Sequence, residues 1–535
     1  MPTMSITRSG MTRTAVASGR AVRRGLAWLH GGVRAGWRDH RLILIVAAVA
    51  TLPRILAMLA FRPALFITDS FIYMQNAMDY KLGTIRPSGY SAFLIPFRGL
   101  PAALTLVTAV QHLMGLAIAV IVYGLLRHWS LPAWGATLAA APVLFDTREI
   151  ALESYIVPDT LYALTAMIVL ALLLTKRTPR LWQCAAAGLG MAYLTLLRGN
   201  GLPLALLAVA FLGIRKVGWR SFSAAAAAFV FPVASYVLAF HGTYGEYNLT
   251  SSDGLFLWSR TTSFANCAII KPPQDLAPLC PDRQPDVSVP VETQPWTIQT
   301  LLAGPQPGDY LWAPHAWWMT DAHPGVNASN NALAMRFALM AIEKQPLDYL
   351  RVTARDVLLT FLATDRPQSR ETNVFTTWPN SFHRPIQELV TEREFAGTTA
   401  NMHPVYWYAY FMLLYQQPVY FPGVLFLGVL LAGLVIVARD WRRWGGMAAL
   451  PWSMAAATII TPPLLTQYLY RYAMAAIPLA CLAVGLGFAR APKQSHQAIE
   501  VNDVEVNDGH EVRHLVPARG EHSAEAKADT ALPLA

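Results

Sequence analysis

Long apolar runs alternate with short polar ones along this chain, and the apolar runs have a length that suits a bilayer. Crossing a hydrocarbon core takes about 20 mostly apolar residues. Runs of this kind lie at about 42–61, 101–126, 131–147, 158–175, 181–197, 200–214, 222–240, within 404–438, at 446–463 and at 467–489. The turn Arg198-Gly199-Asn200-Gly201 divides the pair at 181–214. The pattern predicts an all-α polytopic membrane protein of about ten transmembrane helices. A polar stretch from 241 to 404 interrupts it and reads as an α-containing extracytoplasmic insertion.

Lys and Arg sit between the runs on one parity only. They gather in Arg127-His128, Lys176 to Arg180, Arg215 to Arg220 and Arg439 to Arg443, matching the basic N-terminal arm. Short cytoplasmic loops carry the excess of basic residues in multi-span proteins. The alternate loops, 62–100, about 146–157, 198–201, 241–404 and 463–466, are then expected outside. An even number of spans puts both termini in the cytoplasm, and the implied place is the plasma membrane.

Composition sharpens this picture. Apolar residues make up 54% of the chain and charged residues 14%, against roughly a quarter charged in soluble domains. The net charge of +10 sets topology beside the spans and predicts no nucleic-acid partner. Residues 1–41 hold eight Arg and one acid, Asp39. They lack a cleavable-signal shape and read as a basic cytoplasmic arm drawn to anionic membrane lipids. The tail 490–535 carries eight acids and no apolar periodicity, so it is expected to be disordered. Between these termini lie a membrane core at 42–240, with an outer loop at 62–100, the insertion 241–404, and three last helices over 405–489.

Within the insertion, two helices are expected between Asn330 and Ala363, broken at Pro346. One apolar face is Ala334, Phe337, Ala338, Ala341 and Ile342; the other is Leu350, Ala354, Val357, Leu358 and Phe361. Such helices either lie on the membrane surface or pack on their own domain. Cys267 and Cys280 are close in sequence in a loop assigned to the outside, so they are expected to pair; two free thiols are the alternative. Cys184 and Cys481 fall in apolar spans as core residues. His315, His323, His383 and His403 lack a metal-ligand spacing and read as surface groups. Trp317-Trp318, with Tyr310 and Trp312, suit either sugar stacking or an interfacial aromatic patch. Asn248 and Asn327 head glycosylation sequons by pattern only.

Four features carry candidate chemistry. Asp69, just after the first span, is either a general base whose pKa is raised by low-dielectric surroundings unless it is paired, or a helix N-cap. Arg86-Pro87-Ser88-Gly89-Tyr90 is a tight turn that holds Arg86 at the level of lipid phosphates, which Arg binds bidentately. Headgroup snorkelling is the plainer reading. Asp146, Arg148, Glu149, Glu153 and Asp159 put four acids between two spans. Glu153 or Asp159 then either orients substrate beside Asp69 or, for Asp159 after Pro158, caps a helix. Arg471, where the last span leaves the outer surface, is a second phosphate ligand or an interfacial anchor.

Taken in order, these motifs resemble the GT-C superfamily of polyprenyl-phosphate-dependent glycosyltransferases. They are most similar to the branch with protein O-mannosyltransferases and lipid A aminoarabinose transferases, called glycosyltransferase family 39-like. The resemblance rests on Asp69, on Arg86-Pro87-Ser88-Gly89-Tyr90, on Glu153 to Leu161, and on Arg471 to Ala480, and it covers about 42–240 and 404–489. It implies an inverting hexosyl or pentosyl transfer from a polyprenyl-phosphate sugar to a cell-envelope glycan, lipid or protein. It implies Asp69 as the catalytic acid of the first outer loop, with Tyr90 in the turn motif. Arg86, Arg148, Arg198 and Arg471 would hold phosphate, with Glu153 and Asp159 as further binding groups. A divalent cation is compatible with the resemblance, but no metal ligands can be assigned. This sequence departs from the family in having Ser70 where many relatives have a second acid, and Pro-Ser-Gly in place of Pro-Pro-Gly.

Two rival readings stay open. A ligase or polymerase moving a whole glycan from lipid pyrophosphate would use an Arg and a His such as His383-Arg384. A transporter or scaffold would favour paired charges near mid-membrane and would leave Asp69 and Asp159 dispersed.

Overall fold

The computed structural model describes residues 39–176, 178–281, 307–312, 316–320, 323, 325–362, 386–397, 403–440 and 446–489. The arm before Asp39, the tail after Ala489, His315 and His383-Arg384 lie outside the described residues.

The protein is an all-α polytopic membrane protein. Four helices are long and apolar enough to cross a bilayer: α1 (Asp39–Ala60), α4 (Ala103–His128), α10 (Trp219–Tyr244) and α20 (Tyr470–Phe488). Six shorter apolar helices join them: α5 (Ala133–Phe145), α7 (Asp159–Leu174), α8 (Leu181–Leu197), α9 (Gly201–Ile214), α18 (Gly423–Arg439) and α19 (Ala449–Leu465). Each expected span contains one of these helices. The stretch 404–438 also holds a separate short helix, α17 (Tyr406–Tyr415), ahead of α18. It turns Ala409 and Met412 onto Ala57 and Ala60 at the end of α1.

The spans pack around one apolar core. Helix α4 lies against α5 and α7, α8 against α7 and α10, and α20 against α18 and α19. Inside a bilayer, helices associate through close packing and polar contacts, since lipid tails are as apolar as Leu. Small residues therefore matter. Gly115 of α4 faces Glu153, and a Cβ there would overlap the carboxylate.

The polar connections gather at one end of the bundle. They carry α2 (Thr68–Asp79), α3 (Gly89–Leu94) and α6 (Thr147–Ser154). Strand β1 (Phe61–Arg62) pairs antiparallel with β2 (His403–Pro404), which ties the end of the insertion to the end of α1.

The insertion has its own core. Helices α11 (Asp253–Thr261) and α14 (Ala328–Lys344) pack together through Leu255, Trp258, Phe337 and Ala341. Asn327 caps α14 by accepting from the Asn330 N–H, which satisfies an otherwise orphaned donor. Cys267 and Cys280 are joined by a disulfide, and Cys184 and Cys481 are free and buried.

The apolar face expected on α14 is buried, apart from Ile342, which is half-buried. On α15 (Pro346–Leu362) the burial is rotated from the expected face. Thr353, Asp356, Leu359, Thr360 and Phe361 are buried, whereas Leu350 and Leu358 are exposed. The reason is an ion pair: Arg260 of α11 donates to Asp356 at 2.7 Å with both side chains fully buried. That pair, together with packing of α15 on α18 and α19, fixes the face that local hydrophobicity did not.

Candidate active site

The backbone after α1 is held in place before it reaches Asp69. The Leu65 N–H donates to Ser154 O at 2.9 Å, and the Ile156 N–H donates to Leu65 O at 3.1 Å. Helix α2 then starts, with Ile67 as its N-cap and the Ser70 hydroxyl accepting from the Ile67 N–H at 3.1 Å. Asp69 is therefore in the first turn and is not the cap.

Both Asp69 oxygens are engaged by arginines. Arg86 donates to Oδ1 through Nε at 3.3 Å and Nη2 at 3.2 Å. Arg471 donates through Nη2 to Oδ2 at 2.7 Å. The turn Arg86-Pro87-Ser88-Gly89-Tyr90 supplies Arg86: Ser88 Oγ accepts from the Gly83 N–H at 2.9 Å. Gly89 lies so close to α8 that a Cβ would come within 2.5 Å of Leu196 O. The insertion braces the same turn, because the Ser251 N–H donates to Thr84 O and Ser252 Oγ donates to Ile85 O.

Asp159 and Arg198 form the next pair, with Nη2 to Oδ2 at 2.5 Å. The Arg198 guanidinium lies 4.8 Å from the centre of the Tyr472 ring, and that of Arg471 lies 5.1 Å from it. Arg86 lies 4.7 Å from the Phe256 ring centre. Cation–π contacts of this kind hold guanidinium planes without consuming their hydrogen-bond donors. Arg471 Nη1 is buried with no partner among the described residues.

Two cavities meet at this cluster. One, of about 180 Å³, is lined by Asp69, Arg86, Phe256, Arg471 and Tyr472 together with Trp312 and Gln467. The other, of about 340 Å³, shares those first five residues and adds Tyr73, Arg198 and Asn200. Three arginines, Arg86, Arg198 and Arg471, face Asp69 and Asp159, and a third acid, Asp253, also lines the larger cavity, where burial raises its carboxyl.

Burial alone would raise the Asp69 carboxyl. Arg86 and Arg471, with Arg198 behind them, outweigh it and hold the group well below the usual carboxylate range. A raised pKa is expected only for an unpaired carboxylate, and the two arginines make Asp69 the paired case, an ionised group.

The other expected site residues lie elsewhere. Tyr90 lines neither cavity. Its hydroxyl donates to Gln111 Oε1 at 2.6 Å, and its ring stands edge-on to Tyr73, 5.1 Å between centres. It backs a cavity wall. Glu153 is sealed in the bundle, accepting from Arg54 Nη2 at 2.7 Å and facing His112 Nδ1 at 2.7 Å. Arg148 bonds Asp146 at 2.7 Å and Phe421 O at 2.6 Å, which clamps the connection before α18. Asp159 reaches the larger cavity only through Arg198. His323 meets Asn330 Oδ1 at 3.1 Å. Among the described residues, no three His, Cys, Asp or Glu side chains gather as a metal site.

Several residues of the cluster escaped the sequence reading. Phe256 carries no motif, and Tyr472 is hidden in a run of tyrosines. Arg54, which belongs to the sealed group around Glu153 and not to this cluster, did give a signal, as a charge inside an apolar run.

No family model matches the chain, and no curated protein matches it. Among solved structures it is similar to the archaeal oligosaccharyltransferase AglB from Archaeoglobus fulgidus, in complex with an inhibitory peptide and a dolichol-phosphate. The two share 13% identity at a TM-score of 0.40, over 84% of this chain and 50% of that one. The chain spans about half the length of that protein.

Proposed function

We propose that the protein transfers a sugar from a polyprenyl-phosphate donor to an acceptor hydroxyl at the membrane surface, with inversion at the anomeric carbon, as a GT-C-type glycosyltransferase. One observation carries this reading: Asp69 is the carboxylate that lies where the two cavities meet, and two guanidinium groups, Arg86 and Arg471, flank it. A reaction that joins two substrates and releases a phosphate needs that combination.

In this reading the donor phosphate lies against Arg86, Arg198 and Arg471. The unpaired Nη1 of Arg471 is an available donor for it. The acceptor O–H enters from the opposite side of Asp69. The acceptor oxygen bonds to the anomeric carbon while the bond from that carbon to the phosphate oxygen breaks. The electron pair leaves with the lipid phosphate, and the proton passes to Asp69 and then to water.

The arginines stabilise the charge developing on the leaving phosphate, the larger electrostatic contribution. As they turn toward the phosphate they loosen from Asp69, and its basicity rises when a proton must be accepted. A carboxylate this well paired is a weak base in the empty site and becomes a stronger one once the donor is bound.

The sidedness of the basic loops supports a site on the outer face of the cytoplasmic membrane, with both termini inside. The larger cavity suits the donor. Beyond the shared cluster its walls are mostly apolar, with Leu202, Leu249, Leu257, Met335, Pro462 and Leu465, as the first isoprene units require. A lipid-pyrophosphate ligase gains nothing from the described residues, since His383-Arg384 lies outside them. The scaffold reading predicts dispersed acids and the enzyme reading predicts Asp69 and Asp159 on one cavity. Asp69 lines both cavities, while Asp159 lines neither and pairs with Arg198 in the wall of the larger one.

The deciding assay incubates membranes with radiolabelled polyprenyl-phosphate sugars and compares the wild type with Asp69→Asn at equal expression. Label should move to an acceptor in the wild type and fail to move in the variant. Equal transfer by both would end the assignment of Asp69, and no transfer from any donor would end the glycosyltransferase reading.

A further inference from the structure

The smaller cavity differs in chemistry from the larger one, although both share the Asp69 cluster. Outside that cluster its lining is uncharged: Ile67, Leu311 and Leu469 are apolar, Thr68 and Gln467 carry a hydroxyl and an amide, and Trp312 offers a ring face. The Ser259 and Thr466 hydroxyls donate to Phe256 O and Pro462 O and can accept. Phe256 and Tyr472, which belong to both cavities, add aromatic surface. Neutral donors and acceptors beside aromatic faces match a sugar ring, whose edges carry hydroxyls and whose faces carry C–H bonds. They match a charged headgroup or an extended peptide poorly. Of the charges present, Asp69 is paired with both Arg86 and Arg471, on the side of the cavity that it shares with the larger one.

Trp312 is placed for this role by its neighbours. It follows the short helix α13 (Pro307–Leu311). Its ring stands edge-on to Phe256 at 6.4 Å and to Trp318 at 6.0 Å. Phe256 in turn underlies Arg86, so the ring is coupled to the same cluster as Asp69. The aromatic pair suggested by the sequence is not the platform: Trp317 and Trp318 are 8% and 5% exposed and belong to the core of the insertion. Trp318 Nε1 donates to Leu311 O at 3.1 Å, which fixes the segment that presents Trp312. Trp312 itself is 45% exposed.

We infer that the smaller cavity is an acceptor subsite for a neutral sugar ring, stacked on Trp312 with its hydroxyls on Gln467 and Ser259, so that the acceptor is a glycan. The inference rests on the glycosyl-transfer reading for the reaction, but not for the binding.

The test uses the full chain in lipid nanodiscs and saturation-transfer NMR with the methyl α-glycosides of glucose, galactose and mannose. The ring protons of at least one glycoside should receive saturation. Trp312→Ala should weaken its affinity by about tenfold, and Trp312→Phe should restore most of it. Thermal unfolding reports whether the Ala variant is folded; if it is not, Gln467→Ala gives the second reading and should also weaken binding. No saturation of any glycoside, or equal saturation in wild type and variants, would overturn the subsite. A short Ser-containing peptide that binds in a Trp312-dependent way, where the glycosides do not, would replace the glycan with a protein acceptor and so overturn it too. Trp312-dependent sugar binding without transfer from any polyprenyl-phosphate donor would leave the subsite standing and remove the glycosyltransferase reading.

Discussion

Two buried charge clusters sit at the same end of the bundle, and only one of them meets a cavity. Asp69, Arg86, Arg198 and Arg471 share the walls of two cavities with aromatic rings. Arg54, Glu153 and His112 form a second cluster with side chains at most 5% exposed. Arg54 also donates to Leu144 O at 2.7 Å and Val143 O at 3.1 Å, so it ties α1 to the end of α5 while Glu153 ties α6 to α4. The open cluster draws on residues between or at the ends of the spans, whereas the sealed one takes Arg54 and His112 from within α1 and α4. The comparison teaches that charge density does not mark a site; unfilled space beside the charge does. The sealed cluster still serves the open one. It fixes α6, whose Ser154 O holds Leu65 just ahead of Asp69.

The contrast breaks most sharply under two substitutions. Asp69→Asn should lower turnover by about a thousandfold and cost less stability than the loss of Glu153, because Asp69 and its arginines line cavities rather than the sealed interior. Glu153→Ala should do the reverse and destabilise the protein by about 3–5 kcal/mol, as removing one partner of a buried pair leaves Arg54 uncompensated. Specific activity per folded molecule should fall much less. Thermal unfolding in nanodiscs beside the transfer assay checks both. If Glu153→Ala is stable but inactive, the sealed cluster belongs to the chemistry.

A smaller effect is expected from Gly89→Ala, which forces a methyl group toward Leu196 O. It should destabilise by about 1–3 kcal/mol and raise the donor KM as Arg86 shifts. An unchanged KM would show that the turn does not need its contact with α8.

The pH profile gives the finest test. The carboxyl of Asp69 is depressed in the folded protein, so its pairing stabilises fully above the unfolded value near 3.8 and is lost as pH falls through the folded value. The acid limb of kcat/KM, which reports the free enzyme, should therefore lie below the usual carboxylate range. Arg86→Gln removes a positive neighbour, so the limb should move up by about one pH unit. A limb that does not move would mean that Arg86 is not the partner in solution.

Much of the fold was legible in the chain because a bilayer imposes a length and a polarity that any sequence must obey. The ten apolar runs, the break at Arg198 to Gly201 and the break at Pro346 all appear where local rules put them. The burial of α15 was not legible, since Asp356 finds its partner Arg260 in a distant helix. Of the site, Asp69, Arg86, Asp159 and Arg471 stood out by type and position beside the spans. Their groupings did not: Glu153 and Asp159 look alike in sequence, yet one pairs with Arg54 in the core and the other with Arg198 behind a cavity.

Sequence alone determined the membrane class, the spans and the set of polar residues gathered at one end, because hydrophobic length and loop charge act locally along the chain. Tertiary structure alone decided which carboxylates are sealed and which meet open space, that Asp69 is held low by two arginines 17 and 402 residues away, and that Trp312 rather than Trp317 or Trp318 faces the cavity. Those outcomes depend on distance between remote side chains and on the water left between them, and only the packed chain sets either one.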